Sequence, residues 1–573
     1  MFRRRAKNIT LMMLVLIVLG ACDDSIDIDQ HRRGSAETYM IAIAHPLAAA
    51  AGRDILEKGG SAVDAAIAAE LVLTLVEPQS SGIGGGAFMM HHDASKGIIE
   101  SYDGRETAPA SARPDMFIDA AGVPMPWPKA ATGGRAVGVP GLIRMLALAH
   151  ADHGILPWAA LFQPATRLAE DGFRVTPRLA GLLAKDTEMP TIPGTRDYFY
   201  PGGKPLKPGD TLKNPELARV LRRVADNGAA AFYTGTIAEG MSRSIATAAV
   251  NPAAMAVADI SGYSAKKRDP VCVPYRTVKV CGMGPPSSGG ILIAQILGML
   301  DHFDLGAMQP FSAEAVHLIV EASRLAFADR NLYVADSDFV PVPVPGLIDP
   351  VYLAERARLI TPGKRIPEVR PGRAGRTAWH RGAEADATKG MSTTHFSVLD
   401  RYGNLVSMTA SIERAFGSRH MTQGFLLNNQ LTDFSFQPTA DGFPVANAVA
   451  PGKRPRSTMS PTIVYGADGK PLLAIGSPGG ARIAGYTLKV ILGVIDWHMD
   501  IADAIAAANI VSRGGPVELE AGTTAEALLP ALQALGHTVS VREMNSGLHG
   551  IYLGGGRIVG GADPRREGVV LGD

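Results

Sequence analysis

The sequence predicts an α+β fold, with helices crowded into the first two-thirds of the chain and strands into the last third. Three features carry this. Residues 62–76 are Ala-rich and apolar on most faces, the mark of a buried helix. Residues 313–335 form one long helical run. From residue 393 onward, period-two alternation takes over at 394–399, 405–412, 462–465 and 472–475.

In chain order, 40–44 is a short strand and 46–58 a helix stopped by Gly59-Gly60. After the 62–76 helix, a glycine-rich turn around Gly82 to Gly86 leads into strand residues 87–90. That turn lacks dinucleotide spacing and precedes a strand, which excludes phosphate binding there. Helices are expected at 141–153, at 158–171 and in further segments to about 245. Another follows Pro285-Pro286-Ser287-Ser288-Gly289-Gly290, at 291–303. Residues 362–390 are rich in Gly, Pro, Arg and Lys without periodicity, as an exposed linker is. Helices at 488–497 and 501–508 interrupt the later strands. There is no internal repeat and no regular βαβ alternation.

The chain has 573 residues, 46% hydrophobic and 19% charged, enough for a large core. A net charge of +1 implies no acidic partner such as nucleic acid. The 64 Gly and 40 Pro are dispersed, which suggests tight turns and not disorder. Arg3, Arg4, Arg5 and Lys7 followed by the apolar run 11–19 read as an export signal too short to span a bilayer. Leu19-Gly20-Ala21-Cys22 resembles a bacterial lipobox, with Cys22 as the lipidated first residue; the plainer reading is an ordinary secretory signal. On this basis residues 1–21 are a signal peptide, 22–39 a tether, and the protein a periplasmic, membrane-anchored lipoprotein. If Arg276-Thr277 is a two-residue turn, Cys272 falls opposite Cys281 in a non-hydrogen-bonded pair. An oxidising compartment then favours a disulfide, and a reducing one two core thiols.

Thr393-Thr394-His395-Phe396-Ser397 carries the chemistry. Threonine needs an adjacent base, and its own α-amine serves if the chain is cut before it. Ser392-Thr393 therefore reads as a self-cleavage point and Thr393 as the nucleophile. Asp400 to Asn404 is a turn signal. A loop of Tyr402 to Asn404 would place Glu413 opposite Thr393 and Ser411 diagonal to it. Asn428 to Asp433 gathers amides, a hydroxyl and an acid. Gly476-Ser477-Pro478-Gly479-Gly480, between a strand and a helix, can present an oxyanion hole.

These stretches, with AHPLAAAAG, GGSAVDAAIAA, EPQSSGIGGG, DGRETAP, VGVPG, PPSSGG, LLNNQLTDF, KRPRSTMSPT and GADPRR, resemble the γ-glutamyltransferase family of N-terminal-nucleophile hydrolases from about Met40 to the C-terminus. The resemblance implies a four-layer αββα sandwich, shared by a large fragment (40–392) and a small one (393–573) that stay together as a heterodimer. It implies Thr393 as nucleophile, Ser411 as the hydroxyl that assists it, and Gly479 and Gly480 as the oxyanion hole. Glu413, Gln430 and Asp433 would hold a substrate α-ammonium; Arg105, Ser457 and Thr458 would hold its α-carboxylate. Donors would be glutathione and other γ-glutamyl amides, and acceptors water, amino acids or dipeptides, with no metal or organic cofactor. The rivals are a glutaryl (cephalosporin-type) acylase, for which Asp433 would face an uncompensated site, and a non-catalytic lipid-anchored binding protein. Whether 434–452 closes as a lid is left open by the sequence.

Overall fold

The computed structural model describes residues 26–374, 392–440 and 442–573. Fourteen strands form two sheets: β1 (Arg33–Ala36), β2 (Met40–Ile43), β3 (Gly86–Asp93), β4 (Ile98–Asp103), β5 (Lys266–Arg268), β6 (Val271–Tyr275), β7 (Val278–Gly282), β8 (Thr394–Leu399), β9 (Leu405–Ser411), β10 (Thr462–Tyr465), β11 (Pro471–Gly476), β12 (His549–Gly554), β13 (Arg557–Ala562) and β14 (Val569–Gly572). One sheet runs β14–β2–β8–β9–β3–β4–β5 and the other β1–β13–β12–β11–β10–β7–β6.

Strand alternation sorts side chains into layers. In β2, Ile41 and Ile43 face helices α1 (Pro46–Glu57) and α2 (Ala62–Val76), while Met40 and Ala42 join the seam between the sheets. In β8, Phe396 and Val398 face the same helices and Leu399 the seam. The second sheet turns Val464, Leu473 and Ile475 toward α3 (Gly289–Leu300), α4 (Ala313–Tyr333) and α5 (Ile483–Ile495). The result is helix, sheet, sheet, helix: the four-layer αββα sandwich. α2 starts on a capping box, with Ser61 Oγ accepting from Asp64 N (3.1 Å) and Asp64 Oδ2 from Ser61 N (2.9 Å). It is buried on every face, which explains its all-round apolar pattern.

At one end the seam turns polar. Ser397 and Ser407 donate across it to the carbonyls of His549 and Ile475, each at 3.2 Å. Odd-numbered residues of β8 and β9 face this seam, so the hydroxyls of Thr393 and Ser411 meet at its end. β8 and β9 lie between β2 and β3, so segments on both sides of Ser392-Thr393 share one sheet.

Several expectations are corrected. The 22–39 tether is too long: Arg33–Ala36 is an edge strand paired with β13. The 158–171 helix is two, Trp158–Leu161 and Gln163–Asp171, broken ahead of Pro164, which cannot donate a backbone hydrogen bond. α5 begins at Ile483, five residues before the position expected. The start of the 362–390 linker is tied down, with Glu321 accepting from Ile366 N (2.6 Å) and Tyr333 donating to Gly372 O (2.7 Å). Residues 375–391, Cys22 and the export signal lie outside the described residues.

Cys272 sits directly opposite Cys281, with Cα atoms 4.1 Å apart and the sulfurs bonded, across a turn at Arg276-Thr277. Closing this short loop limits the unfolded chain. Replacing both cysteines by serine is expected to cost about 2–3 kcal/mol. Urea denaturation of oxidised protein would measure it, and an unchanged midpoint would rule the cross-link out as a stabilising element.

Candidate active site

The hairpin β8–β9 sets the site. Its ladder pairs Leu399 with Leu405 and Thr394 with Ala410, so Ser411, not Glu413, stands opposite Thr393. The expected register was two positions off because the loop is Arg401 to Gly403. Asp400 N donates to Asn404 O at 3.1 Å, and Gly403 takes the left-handed position (φ 85°) that ends such a loop. Asp400 Oδ1 accepts from the backbone of Tyr402 and of Asn404, each at 2.9 Å, and locks the turn.

Thr393 Oγ1 lies 2.9 Å from Ser411 Oγ, and Ser411 Oγ also accepts from Glu413 N at 2.9 Å. Both hydroxyls are buried. Thr393 has φ 117°, a strained conformation for a β-branched residue. It is held from both sides: Arg566 Nη1 donates to Thr393 O at 2.8 Å, and Ser392 Oγ donates to Gln79 O. The glycine-rich turn has a packing role here. A Cβ on Gly85 would sit 2.2 Å from the Ser411 carbonyl, so only glycine lets the two backbones approach.

Beyond Ser411 the chain enters a loop with left-handed Glu413, Phe416, Arg419 and Gln423. Ion pairing of Arg419 with Asp186 (Nε–Oδ2 2.8 Å) holds its outer part. Asn429 Nδ2 donates to Glu413 Oε2 and, at 3.1 Å, to Thr432 Oγ1. Asn428 bonds Gly84 O and Gly138 O, each at 2.8 Å, and accepts from Gly138 N and Gln430 N, each at 3.0 Å. The amide-rich cluster is thus a suture between loops as well as a polar wall. Gln430 Oε1 is buried without a hydrogen bond.

Arg105 and Asp433 do not stand apart. Arg105 Nη2 bonds Asp433 Oδ2 at 2.5 Å, and Arg105 Nε donates to Pro455 O at 3.1 Å. The expectation that Asp433 lacks compensation without a substrate ammonium is therefore corrected: the fully buried guanidinium supplies it. The neighbouring Glu106 is pushed up to about 8, because burial outweighs the pull of Arg105, so it is largely neutral at pH 7. Thr458 Oγ1 accepts from Arg330 Nη2 (3.0 Å) and Ser457 Oγ from Met459 N (3.1 Å). Those bonds use the hydroxyl oxygens and not their protons.

Gly479 (φ 132°) and Gly480 (φ 60°) follow β11 and open the turn into α5. A Cβ on Gly479 would lie 2.5 Å from the Tyr486 ring. Among the described residues, nothing accepts from their N–H groups. β11 reaches the neighbourhood of Thr393 because Gly476 packs directly on the imidazole of His395.

The 434–452 segment is anchored at its base. Asn447 Nδ2 donates to Asp433 O (2.8 Å) and Asn447 Oδ1 accepts from Arg456 N (3.0 Å). Lys453 Nζ donates to Ala446 O at 2.6 Å and Ala448 O at 3.0 Å. Phe436 stacks on Phe117, while the tip at Phe443 is exposed.

Sequence reasoning assigned no role to Asn429 or Arg566. The signal for Asn429 was its place in the amide run; Arg566 makes a contact 173 residues away in sequence, which no local pattern reveals.

Comparison with known proteins agrees with this geometry. The profile described as gamma-glutamyltranspeptidase matches residues 48–573. The glutathione hydrolase proenzyme of Bacillus subtilis (strain 168) is 37% identical over 545 residues, covering 93% of this chain and 91% of its own. That of Escherichia coli (strain K12) is 38% identical over 547 residues, covering 92% and 91%. The crystal structure of cephalosporin acylase from Bacillus halodurans superposes with a TM-score of 0.82 at 27% identity, covering 94% of this chain and 97% of that one. With a threonine hydroxyl paired to a serine at the end of an αββα seam and a family match across nearly its whole length, the chain belongs to the γ-glutamyltranspeptidase family.

Proposed function

We propose that this protein cuts itself at Ser392-Thr393 and then acts as a γ-glutamyltransferase and hydrolase on glutathione and other γ-glutamyl amides. The observation that carries the proposal is the 2.9 Å pair of Thr393 Oγ1 and Ser411 Oγ, beside a charged Arg105–Asp433 clamp. In maturation Thr393 Oγ attacks the Ser392 carbonyl, the amide becomes an ester, and water hydrolyses it to a Ser392 carboxylate and a free Thr393 amine. The strained Thr393 backbone, a cost of about 1–3 kcal/mol, relaxes on cutting and so favours it.

In the mature enzyme the Thr393 amine, near pKa ~8 before burial, accepts the hydroxyl proton. Thr393 Oγ attacks the γ-carbonyl, and the N–H groups of Gly479 and Gly480 receive the developing oxyanion. The amine leaving group takes the proton. Water or an acceptor amine then resolves the γ-glutamyl ester, giving ping-pong kinetics.

Charge balance supports a zwitterionic substrate head. Arg105 offsets Asp433, and Glu413 adds a further carboxylate. A γ-glutamyl head adds a carboxylate for Arg105, Ser457 and Thr458 and an ammonium for Asp433, Glu413 and Gln430, so the sum is unchanged. A glutaryl head adds one negative charge to a buried site, which is costly unless matched. The glutaryl acylase reading keeps one observation in its favour, since Arg105 already compensates Asp433. Turnover of a γ-glutamyl anilide against its glutaryl analogue decides between them; preference for the glutaryl compound overturns the proposal.

Removing the Ser411 hydroxyl takes away the partner of the nucleophile and the acceptor of Glu413 N. Ser411→Ala is expected to slow both self-cleavage and turnover by about 10²–10³-fold, while Ser411→Thr restores both. Gel assay of fragment appearance and steady-state kinetics would check this; full activity in the alanine variant would remove Ser411 from the mechanism.

We further propose export to the periplasm and lipid attachment at Cys22, with the processed pair held at a membrane. The support is the basic head, short apolar run and lipobox-like Leu19 to Cys22. Intact-mass measurement of purified protein tests it: a large fragment starting at Cys22 and carrying acyl chains is expected, and an unmodified fragment counts against the anchor.

A further inference from the structure

We propose that His91, Glu100 and His153 form a Zn²⁺ site on the outer face of the nucleophile's sheet. The site lies roughly 16 Å along β3 from Gly86, which pairs with Ser411. His91 and Glu100 are direct cross-strand partners on β3 and β4. The helix Leu142–His153 ends over them and delivers His153 as its last residue. His153 Nε2 lies 2.6 Å from Glu100 Oε2, and His91 Nδ1 lies 3.8 Å from the same oxygen. The three donor atoms all fall within 4.8 Å of one another.

His91 is the telling residue. Its side chain is 1% exposed, yet Nδ1 makes no hydrogen bond within ordinary reach: Glu100 Oε2 lies 3.8 Å away, and the ring packs against that of His153 with centroids 4.0 Å apart. Two imidazole nitrogens and one carboxylate oxygen are a donor set that zinc favours, with a fourth position left for water. The supporting groups match those of a metal centre. Lys267 Nζ holds the other carboxylate oxygen, Glu100 Oε1, at 2.8 Å. Tyr102 donates to Asp152 Oδ2 at 2.9 Å, which leaves its oxygen facing His153.

Charge also permits a cation. Glu100 and Asp152 carry two negative charges against one on Lys267, and the helix C-terminus adds a negative dipole end. A surface cleft of about 330 Å³, lined by Asp93, Lys96, Asp152, His153 and Tyr402, reaches the cluster at His153. On binding, zinc replaces the His153–Glu100 hydrogen bond, and the His153 proton moves to Nδ1.

The second histidine cluster, His317, Glu321 and His537, lacks these properties. Its two imidazoles satisfy one another at 2.8 Å, and Arg324 already occupies Glu321 Oε1 at 2.6 Å. It serves as the internal control.

The test uses full-length, tag-free protein stripped with chelator and titrated calorimetrically with ZnCl₂, alongside Co²⁺ absorption as a readout of coordination. One equivalent of Zn²⁺ should bind, Co²⁺ should give a low-symmetry visible spectrum, and thermal stability should rise. His91→Ala and His153→Gln should each weaken binding by at least about 100-fold, and His317→Ala should leave it unchanged. His153→Gln is the safer variant, because its side chain is partly exposed, and retained γ-glutamyl anilide turnover without zinc checks its folding. Absence of stoichiometric uptake at micromolar zinc, uptake that survives both variants, or uptake lost in His317→Ala would each overturn the assignment.

Discussion

The Thr393→Ala protein is expected to accumulate as one uncut chain with transferase and hydrolase activity reduced by about 10⁴-fold or more. A single oxygen is used twice in the proposed mechanism. Thr393 Oγ1 is the atom next to Ser411, and in the proposed mechanism it is also the atom that attacks the Ser392 carbonyl. Its loss leaves no nucleophile for maturation and, with the peptide intact, no α-amine to act as base. Folding should survive. The Thr393 hydroxyl makes one side-chain hydrogen bond, to Ser411, whereas the backbone is held by Arg566 and the flanking Ser392 by Gln79. Thr393→Ser keeps the oxygen and loses only the methyl that restricts χ1, so it should cleave and turn over more slowly but measurably. The checks are a denaturing gel, N-terminal sequencing and anilide turnover. A cleaved, active alanine variant would place the nucleophile elsewhere.

Much of this centre was legible in the sequence, and the failures have physical causes. The β8–β9 hairpin could be read because turn residues divide two alternating runs. Its register could not, since Asp400, Gly403 and Asn404 all favour turns and three-residue loops are possible at adjacent positions. The deciding signal was Gly403, the one residue there that enters the left-handed region without a Cβ penalty. The strands β12 and β13 went unread because glycines dilute their alternation. Those glycines answer to packing: a Cβ on Gly561 would lie 2.8 Å from Ile505 and 3.0 Å from Ala502. The late reading of α5 has the same origin, since Gly485 sits where a Cβ would meet Val511 at 2.8 Å. The layer order, by contrast, came from the family resemblance, and the sorting of β2 and β8 side chains between helices and seam agrees with it. The resemblance assigned Arg105 and Asp433 to separate roles at the substrate head, but not their direct contact across 328 positions.

That same pair sets the second large expectation. Asp433→Asn should lower kcat/KM for a γ-glutamyl anilide by roughly 30–150-fold, the loss of about 2–3 kcal/mol from one charge-assisted contact. The glutaryl analogue should lose far less and can gain. In the free enzyme Asp433 engages the Arg105 guanidinium at 2.5 Å, so any substrate carboxylate must compete with it. A zwitterionic head resolves the competition by exchange, with its ammonium taking Asp433 as its carboxylate takes Arg105. A glutaryl head brings no cation and must leave either Asp433 or itself short of a partner. Neutralising residue 433 therefore removes an attraction for the first substrate and a repulsion for the second. Glu106 does not blur the comparison, because burial keeps it largely protonated at pH 7. Parallel kinetics of the two anilides on wild-type and Asp433→Asn enzyme isolate the effect, with Thr393 chemistry common to both. Equal losses for the two substrates would mean that Asp433 only supports Arg105, and the ammonium would then have to be recognised by Glu413 and Gln430 alone.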